Sequence, residues 1–138
     1  MNRPEEIRAA LRDTSIWFVV GLGDNPGRDA YWVARDLQAH GKRVVPIHPH
    51  AGTVHGERGF ASIGEAALTI GRPDVVDVFI RSENAGTFAD QAIAAGAGVV
   101  WFQSGVIDDD AAQRVVDAGL TMIMDRCPTL EFPRLLEE

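Results

Sequence analysis

The chain contains five short apolar runs, separated by longer segments in which apolar residues follow helical spacing. Each run is dense in Val, Ile, Phe or Trp and lacks alternating polar residues, which is typical of strands covered on both faces. The predicted strands are residues 16–21, 43–47, 75–80, 98–102 and 120–124. These runs therefore indicate a parallel sheet buried between two layers.

Between the strands, apolar residues recur three and four positions apart, the spacing of a helix that buries one face. The clearest stripe is Ala85, Phe88, Ala89, Ala92 and Ile93. The other predicted helices cover residues 4–11, 30–37, 111–116 and 129–138, and a further one begins at Ser62. Glu65 stands three residues after Ser62, which is the spacing of a helix-capping box.

The alternation of strands and helices predicts a doubly wound α/β fold. Strand–helix–strand units form parallel sheets with right-handed crossovers, and the helices cover both faces. We expect a five-stranded parallel sheet of order 3-2-1-4-5. The 138 residues match about one domain's length, so residues 1–138 are predicted to form a single domain.

The charge balance narrows the choice of partner. Thirteen Lys and Arg oppose twenty Asp and Glu, a net charge of −7, which argues against nucleic acid or an anionic membrane as the main partner. A small anionic ligand remains possible, while a protein partner or a homo-oligomer is left open. The lone Cys127 cannot form an internal disulfide, and no apolar run is long enough to span a membrane. We therefore expect a cytoplasmic protein.

The strongest local signal is the glycine-rich loop of residues 21–28, which lies directly after the first strand and before a helix. Its candidate ligand-binding residues are Gly21, Gly23, Asp24, Asn25, Pro26 and Arg28. Gly21 permits a tight turn and Gly23 lets the backbone approach a ligand. Arg28 can donate to a phosphate oxygen at the start of the helix. The alternative is a turn that needs glycine and binds nothing.

An ordinary NAD site does not fit this loop. The dinucleotide pattern G-x-G-x-x-G is broken at its sixth place by Pro26. The second strand is followed by His48 and Pro49 instead of the acidic residue that reads the ribose. The residues therefore predict a phosphate-bearing ligand without naming it.

Several motifs occur in a characteristic order along the chain. They are G-x-x-x-N-P at 21–26, the proline-flanked strand end at 46–49, Gly56-Glu57 with Phe60 and Ser62, VVDVFIR at 75–81, Gly96-Ala97, VWFQSG at 100–105 and MDRC at 124–127. In this set the chain resembles the small stand-alone CoA-binding proteins, relatives of the CoA-binding domain of succinyl-CoA synthetase alpha subunits. The resemblance covers residues 16–127.

The resemblance implies a Rossmann-like domain that holds CoA or an acyl-CoA across the carboxyl ends of its strands. Loop 21–28 would face the phosphates and His48 with Pro49 the adenosine, while Arg81, Gln103 and Gly105 would form the remaining rim. The sequence departs from this family at two positions. Gly23 replaces a small hydroxyl residue and His48 replaces an asparagine. These departures bear more on the expected affinity for CoA than on the expected fold.

Other chemically suggestive residues are interpreted structurally. His48, His50 and His55 share one loop in which Glu57 is the only carboxylate, and no C-x-x-C motif accompanies them, so solvated histidines are expected. Cys127 is expected to be a buried thiol, and residues 108–110, a run of three aspartates, to cap a helix. Trp17, Trp32 and Trp101 are expected in the core or at its edge; Trp101 alone lies near the ligand rim, and core packing is favoured for it too.

Two functions remain open from the sequence. The first is a binding or regulatory module that holds CoA without chemistry of its own, since no nucleophile, base and orienting group come together in the pattern. The second is a small enzyme that acts on an acyl-CoA or a nucleotide ligand and uses His48 or Cys127. No catalytic residue and no metal are predicted.

Overall fold

Five strands and six helices alternate along residues 1–136, which are the residues that the computed structural model describes. The strands are β1 (Ile16–Val20), β2 (Arg43–Ile47), β3 (Val75–Val78), β4 (Val99–Phe102) and β5 (Thr121–Ile123). The helices are α1 (Pro4–Arg12), α2 (Asp29–Ala39), α3 (Ile63–Ile70), α4 (Ser82–Ala94), α5 (Asp109–Asp117) and α6 (Pro128–Leu135). Every predicted strand and helix is present, and the last two residues of the predicted C-terminal helix lie outside the described residues.

The strands form one parallel sheet in the order β2-β1-β3-β4-β5. The predicted class, a five-stranded, parallel, doubly wound sheet, is confirmed. The predicted order 3-2-1-4-5 is wrong, because β3 pairs with β1 on the side away from β2. Pro46 in β2 explains the difference: proline has no N–H to donate and is confined to edge strands, whereas the order 3-2-1-4-5 would give β2 two neighbours.

The outer edge of β2 is covered at its carboxyl end by a returning loop. The Pro46 carbonyl accepts a hydrogen bond from the N–H of Phe60 at 2.9 Å, and the His48 N–H donates to the Phe60 carbonyl at 3.0 Å. Phe60 thus forms an isolated parallel bridge with Ile47. The edge of the sheet is closed just where β2 meets the loop of residues 48–61.

Two hydrophobic clusters lie on opposite faces of the sheet. Helices α3, α4 and α5 cover one face, and α1, α2 and α6 cover the other. Strand residues alternate between the faces. Val76 and Val78 belong to the first cluster, so Asp77, between them, points to the face covered by α1, α2 and α6.

Side-chain caps fix two helix starts as the sequence predicts. Ser62 Oγ accepts from the N–H of Glu65 at 3.1 Å, and Asp108 Oδ1 accepts from the N–H of Ala111 at 3.0 Å. Each bond satisfies a main-chain donor that the helix leaves unpaired. None of the helices within residues 1–136 is long and apolar enough to cross a membrane.

Candidate functional site

A cleft of about 1300 Å³ lies over the carboxyl ends of the strands. Ligands bind at this edge in doubly wound folds, where the chain passes to opposite sides of one strand, and here β1 is flanked by β2 and β3. Nine predicted site residues line the cleft: Gly21, Gly23, Asn25, Arg28, His48, Pro49, Arg81, Gln103 and Gly105. Asp24 and Pro26 belong to the same loop but are not among the residues that line it.

Gly21 makes the turn from β1 into the cleft. Its φ of +91° lies in the region that favours glycine, and its N–H donates to the Ile47 carbonyl at 2.8 Å. A Cβ at this position would lie 2.5 Å from the carbonyl oxygen of Phe79. Glycine is therefore required here by both backbone conformation and close packing against the end of β3.

The rest of loop 21–28 is held by its own hydrogen bonds. Asn25 Oδ1 accepts from the Gly27 N–H at 2.9 Å, and the Asn25 carbonyl accepts from the Arg28 N–H at 3.1 Å. The Pro26 carbonyl accepts from Nε1 of Trp32 at 2.8 Å. Asn25 and Pro26 thus shape the loop and tie it to α2.

The first turn of α2 opens onto the cleft at Asp29 and Ala30, whereas the N–H groups of Arg28 and Tyr31 already donate to the carbonyls of Asn25 and Arg28. Arg28, its N-cap residue, makes no side-chain capping hydrogen bond, and Arg28, Asp29 and Ala30 all line the cleft. The Arg28 side chain is exposed and forms no salt bridge within residues 1–136. A helix start of this kind attracts anionic groups through its N–H groups and its dipole.

The His48 ring forms the wall of the cleft at the end of β2. Its Nδ1 accepts from the N–H of His50 at 3.2 Å, so a neutral ring carries its proton on Nε2. A Cβ at Gly23 would lie 3.4 Å from this Nε2, which is ordinary contact. The ring therefore packs beside Gly23 and leaves room for a Cβ at that position.

The three loop histidines do not converge. His55 turns toward α2, where its Nε2 lies 2.7 Å from the Tyr31 carbonyl oxygen, while the His48 and His50 rings stack at 5.1 Å. Within residues 1–136 no group of three His, Cys, Asp or Glu side chains has the arrangement of a metal site. The contact of His55 instead fastens the loop to the body of the protein.

The loop after β4 is pinned on both sides at Gly105, whose φ is +83°. Its N–H donates to Asp125 Oδ1 at 2.7 Å, and its carbonyl accepts from Ser82 Oγ at 3.1 Å. The Ser82 Oγ in turn accepts from the Ile107 N–H at 2.9 Å. Because both main-chain groups of Gly105 are engaged, this residue shapes the rim and has no free N–H for a ligand.

Beneath the cleft lies a buried carboxyl group that was not among the predicted site residues. Asp77 Oδ1 accepts from Nε2 of Gln103, and Oδ2 has no hydrogen-bond partner within the described chain. Burial raises the pKa of Asp77 from its usual 3.8 to about 8, and the hydrogen bond from Gln103 opposes this rise. Asp77 therefore holds a proton at neutral pH.

The structure corrects two expectations about side chains at the cleft. Trp32, 59% exposed, lines the cleft instead of packing in the core, whereas Trp101 is fully buried as expected and donates from Nε1 to the Arg126 carbonyl at 2.9 Å. Cys127 is half-buried in the cleft wall instead of enclosed in the core, because it precedes α6 at the strand ends. Leu130, 67% exposed, also lines this end of the cleft.

Arg81 lies at the end of β3, where it is the N-cap residue of α4. Its side chain is exposed, lines the cleft and forms no salt bridge in the described part of the chain. A structural ion pair, the alternative to a role in binding, is therefore not what holds Arg81 in place. Together with Arg28, it provides positive charge beside the cleft of an acidic protein.

The sequence and the fold are similar to those of known proteins. Residues 15–133 match the family described as CoA binding domain. The chain belongs to this CoA-binding family. The family assignment agrees with the resemblance seen in the motifs, since the match covers all of them.

Relatives of this CoA-binding family member share most of its length. The chain is 33% identical over 122 residues to YneT of Bacillus subtilis, which spans 88% of each protein. It is similar to the crystal structure of Prb, a protein redesigned for binding, with a TM-score of 0.90 and 35% identity over 100% of this chain and 95% of the other. A protein of Pyrococcus horikoshii has a TM-score of 0.88 and 34% identity over 97% and 92% of the two chains.

Proposed function

We propose that the protein binds CoA or an acyl-CoA in the cleft as a binding or regulatory module. The observation that best supports this is the start of α2, where main-chain N–H groups without a side-chain cap open onto the cleft beside loop 21–28. Such a helix start binds phosphate groups. The match to the CoA binding domain family supports CoA as the phosphate-bearing ligand.

In this proposal the ligand lies across the strand ends. Loop 21–28 with Arg28 holds the pyrophosphate, and the adenosine lies beside His48 and Pro49 at β2. The rest of the molecule extends over β3 and β4, past Arg81. Neighbouring strands are about 4.8 Å apart, so the path from β2 to β4 is roughly 14 Å. A cavity of about 1300 Å³ exceeds the ~300–1000 Å³ typical of small-molecule sites, which gives room for a ligand that crosses several strands.

The second candidate function is an enzyme that acts on an acyl-CoA, and the position of Cys127 in the cleft wall favours it. Cys127 and His48 follow β5 and β2, which are the two edges of the sheet and roughly 19 Å apart. This strand separation argues against a nucleophile–base pair of these two side chains. Incubation with acetyl-CoA tests this candidate: release of free CoA by the wild type but not by Cys127→Ser would favour the enzyme over the binding module.

Titration calorimetry with CoA, dephospho-CoA and NAD tests the proposed function. Arg28→Glu replaces a favourable charge at the phosphates by an unfavourable one. We expect it to weaken CoA binding by about 1–3 kcal/mol, or roughly ten- to a hundredfold. Arg35→Glu is the matched control, because Arg35 is exposed on the same helix and does not line the cleft; it should leave the affinity nearly unchanged.

NAD provides the test of ligand class. No acidic residue follows β2 to hold the ribose hydroxyls, so NAD should bind far more weakly than CoA. Equal affinity of the wild type for the two ligands would refute the CoA proposal. An unchanged affinity of Arg28→Glu for CoA would refute only the role given to that arginine.

We also propose that the protein works in the cytoplasm. Cys127 is the one cysteine of the sequence and has no partner for an internal disulfide, which is typical of a reducing compartment. Cell fractionation followed by detection with an antibody tests this, and recovery of the protein in the secreted fraction would contradict it.

A further inference from the structure

Asp77 is an unusual residue to find at the centre of a sheet. It lies in β3 between Val19 of β1 and Trp101 of β4, and it is fully buried. Its described hydrogen bond comes from Gln103, and Oδ2 has no partner within residues 1–136. A buried polar atom without a partner destabilises a fold, so the packing of the sheet alone does not account for this carboxyl group.

Gln103 connects Asp77 to the cleft. It follows β4, lines the cleft and is only 3% exposed. Its main chain is fixed, because its N–H donates to the Val78 carbonyl at 3.3 Å and its carbonyl accepts from the Val106 N–H at 2.9 Å. The side-chain amide has a donor end and an acceptor end. The hydrogen bond to Asp77 decides which end is turned away from the cleft.

The position of Gln103 indicates which part of a ligand it meets. If the pyrophosphate lies at loop 21–28 and the adenosine at β2, then β4 lies two strands beyond β1 on the opposite side. The portion of CoA that reaches this point is the pantetheine arm, whose two amide groups each offer an N–H and a carbonyl. These are the groups that a fixed glutamine amide can pair with.

We propose that Asp77 is a positioning residue that fixes the side-chain amide of Gln103 for recognition of the pantetheine arm of CoA. This inference rests on the proposed function. Asp77 does not touch the ligand; it acts through Gln103, and the nucleotide half of CoA, held at β1 and β2, does not depend on it.

The protonation state of Asp77 changes the charge that faces Gln103 and leaves the direction of their hydrogen bond unchanged. A carboxylic acid accepts through its carbonyl oxygen and a carboxylate through either oxygen, so both forms of Asp77 accept from the N–H end of the Gln103 amide. The neighbouring strands place Val19 and Trp101 beside Asp77, and neither titrates. The partly or fully buried ionisable side chains of α1, α2 and α6, with the cap residues of these helices included, are Glu6, Arg8, Tyr31, Asp36, His40, Cys127 and Glu131. Within residues 1–136 Asp77 forms no salt bridge with them.

Calorimetry of three proteins with two probes tests the inference. The probes are CoA and adenosine 3′-phosphate 5′-diphosphate, which is CoA without the pantetheine arm. Asp77→Ala should bind CoA about tenfold more weakly, which is about 1.4 kcal/mol, and should bind the nucleotide as the wild type does. Asp77→Asn should stay within about twofold of the wild type for both probes, because the asparagine oxygen accepts from Gln103 in the same place.

A spectroscopic readout separates positioning from a structural role. In the wild type, the NMR signals of the Gln103 side-chain NH₂ should shift with a midpoint near pH 8, and in Asp77→Asn they should not titrate there. If Asp77→Ala does not fold, Gln103→Leu replaces it, with the same expected loss for CoA alone.

Three results would overturn the inference. Equal losses of affinity for both probes in Asp77→Ala would show that Asp77 is a structural residue. An unchanged affinity of that variant for CoA would show that Asp77 plays no part in binding. If the NMR signals of the Gln103 side-chain NH₂ did not change with pH near 8, the two side chains would not be coupled. If the wild type bound neither probe, the proposed function itself would fail, which is a distinct outcome because the first two results require binding by the wild type.

Discussion

The buried proton of Asp77 makes the stability of this protein depend on pH in a direction that can be worked out. The pKa of the carboxyl group is about 8 in the folded chain and 3.8 when exposed. Between these values the unfolded state has released the proton while the folded state retains it. The folded state therefore binds one more proton, and the free energy of unfolding falls as pH rises.

The magnitude follows from the same two pKa values. One pH unit in this interval changes the free energy of unfolding by about 1.4 kcal/mol. From pH 5 to pH 8, where the folded group begins to ionise, the loss is roughly 4 kcal/mol. Such a loss is a large part of the ~5–15 kcal/mol that stabilises a typical domain. In Asp77→Asn the side chain cannot ionise, so this contribution to the pH dependence disappears.

Urea unfolding at pH 5, 6, 7 and 8, followed by tryptophan fluorescence, measures the effect. The quantity of interest is the drop in unfolding free energy from pH 5 to pH 8, compared between wild type and Asp77→Asn. We expect the wild type to drop by roughly 4 kcal/mol more. Asp117→Asn, which removes an exposed carboxylate of α5, is the control and should follow the wild type. Parallel curves for wild type and Asp77→Asn would show that Asp77 does not retain its proton.

Three further predictions concern other parts of the fold. Gly21→Ala should lower the unfolding free energy by about 2 kcal/mol or more, because of the positive φ and the 2.5 Å approach to Phe79. Gly23→Ala should change the unfolding free energy by less than about 1 kcal/mol. Urea unfolding of both variants measures the difference, and equal losses would contradict the role given to Gly21. Asp108→Ala should cost about 1 kcal/mol through loss of the α5 cap, and no change in the urea midpoint would refute that role. CoA should alter the fluorescence of exposed Trp32, so Trp32→Phe should abolish the signal; a signal that persists would come from elsewhere.

The sequence predicted local structure well because local interactions determine it. Short runs dense in Val, Ile, Phe and Trp located all five strands, and hydroxyl or carboxyl side chains at Ser62 and Asp108 located two helix starts. The strand order was wrong because helical periodicity says nothing about which strands become neighbours. Pro46 held the missing information, since a residue without an N–H belongs at the edge of a sheet.

The sequence predicted most of the residues that line the cleft but not the buried carboxyl group of Asp77 beneath it. Trp32 lies outside the stripe of Ala30, Val33 and Leu37, so its exposure follows from the helical pattern and could have been deduced. The pairing of Asp77 with Gln103 could not, because the two residues are 26 positions apart. Whether a strand aspartate is buried depends on the neighbours that the sheet and its helices bring to it.

The loop of residues 48–61 contributes both to the ligand-binding cleft and to the protection of the sheet edge. Its first residues, His48 and Pro49, form one end of the cleft, while Phe60 occupies the outer carbonyl of Pro46 at the end of β2. An uncovered strand edge recruits strands from other molecules and leads to aggregation. Shortening this loop to admit a bulkier ligand would therefore expose that edge, and variants selected for a new ligand would also have to be selected for solubility.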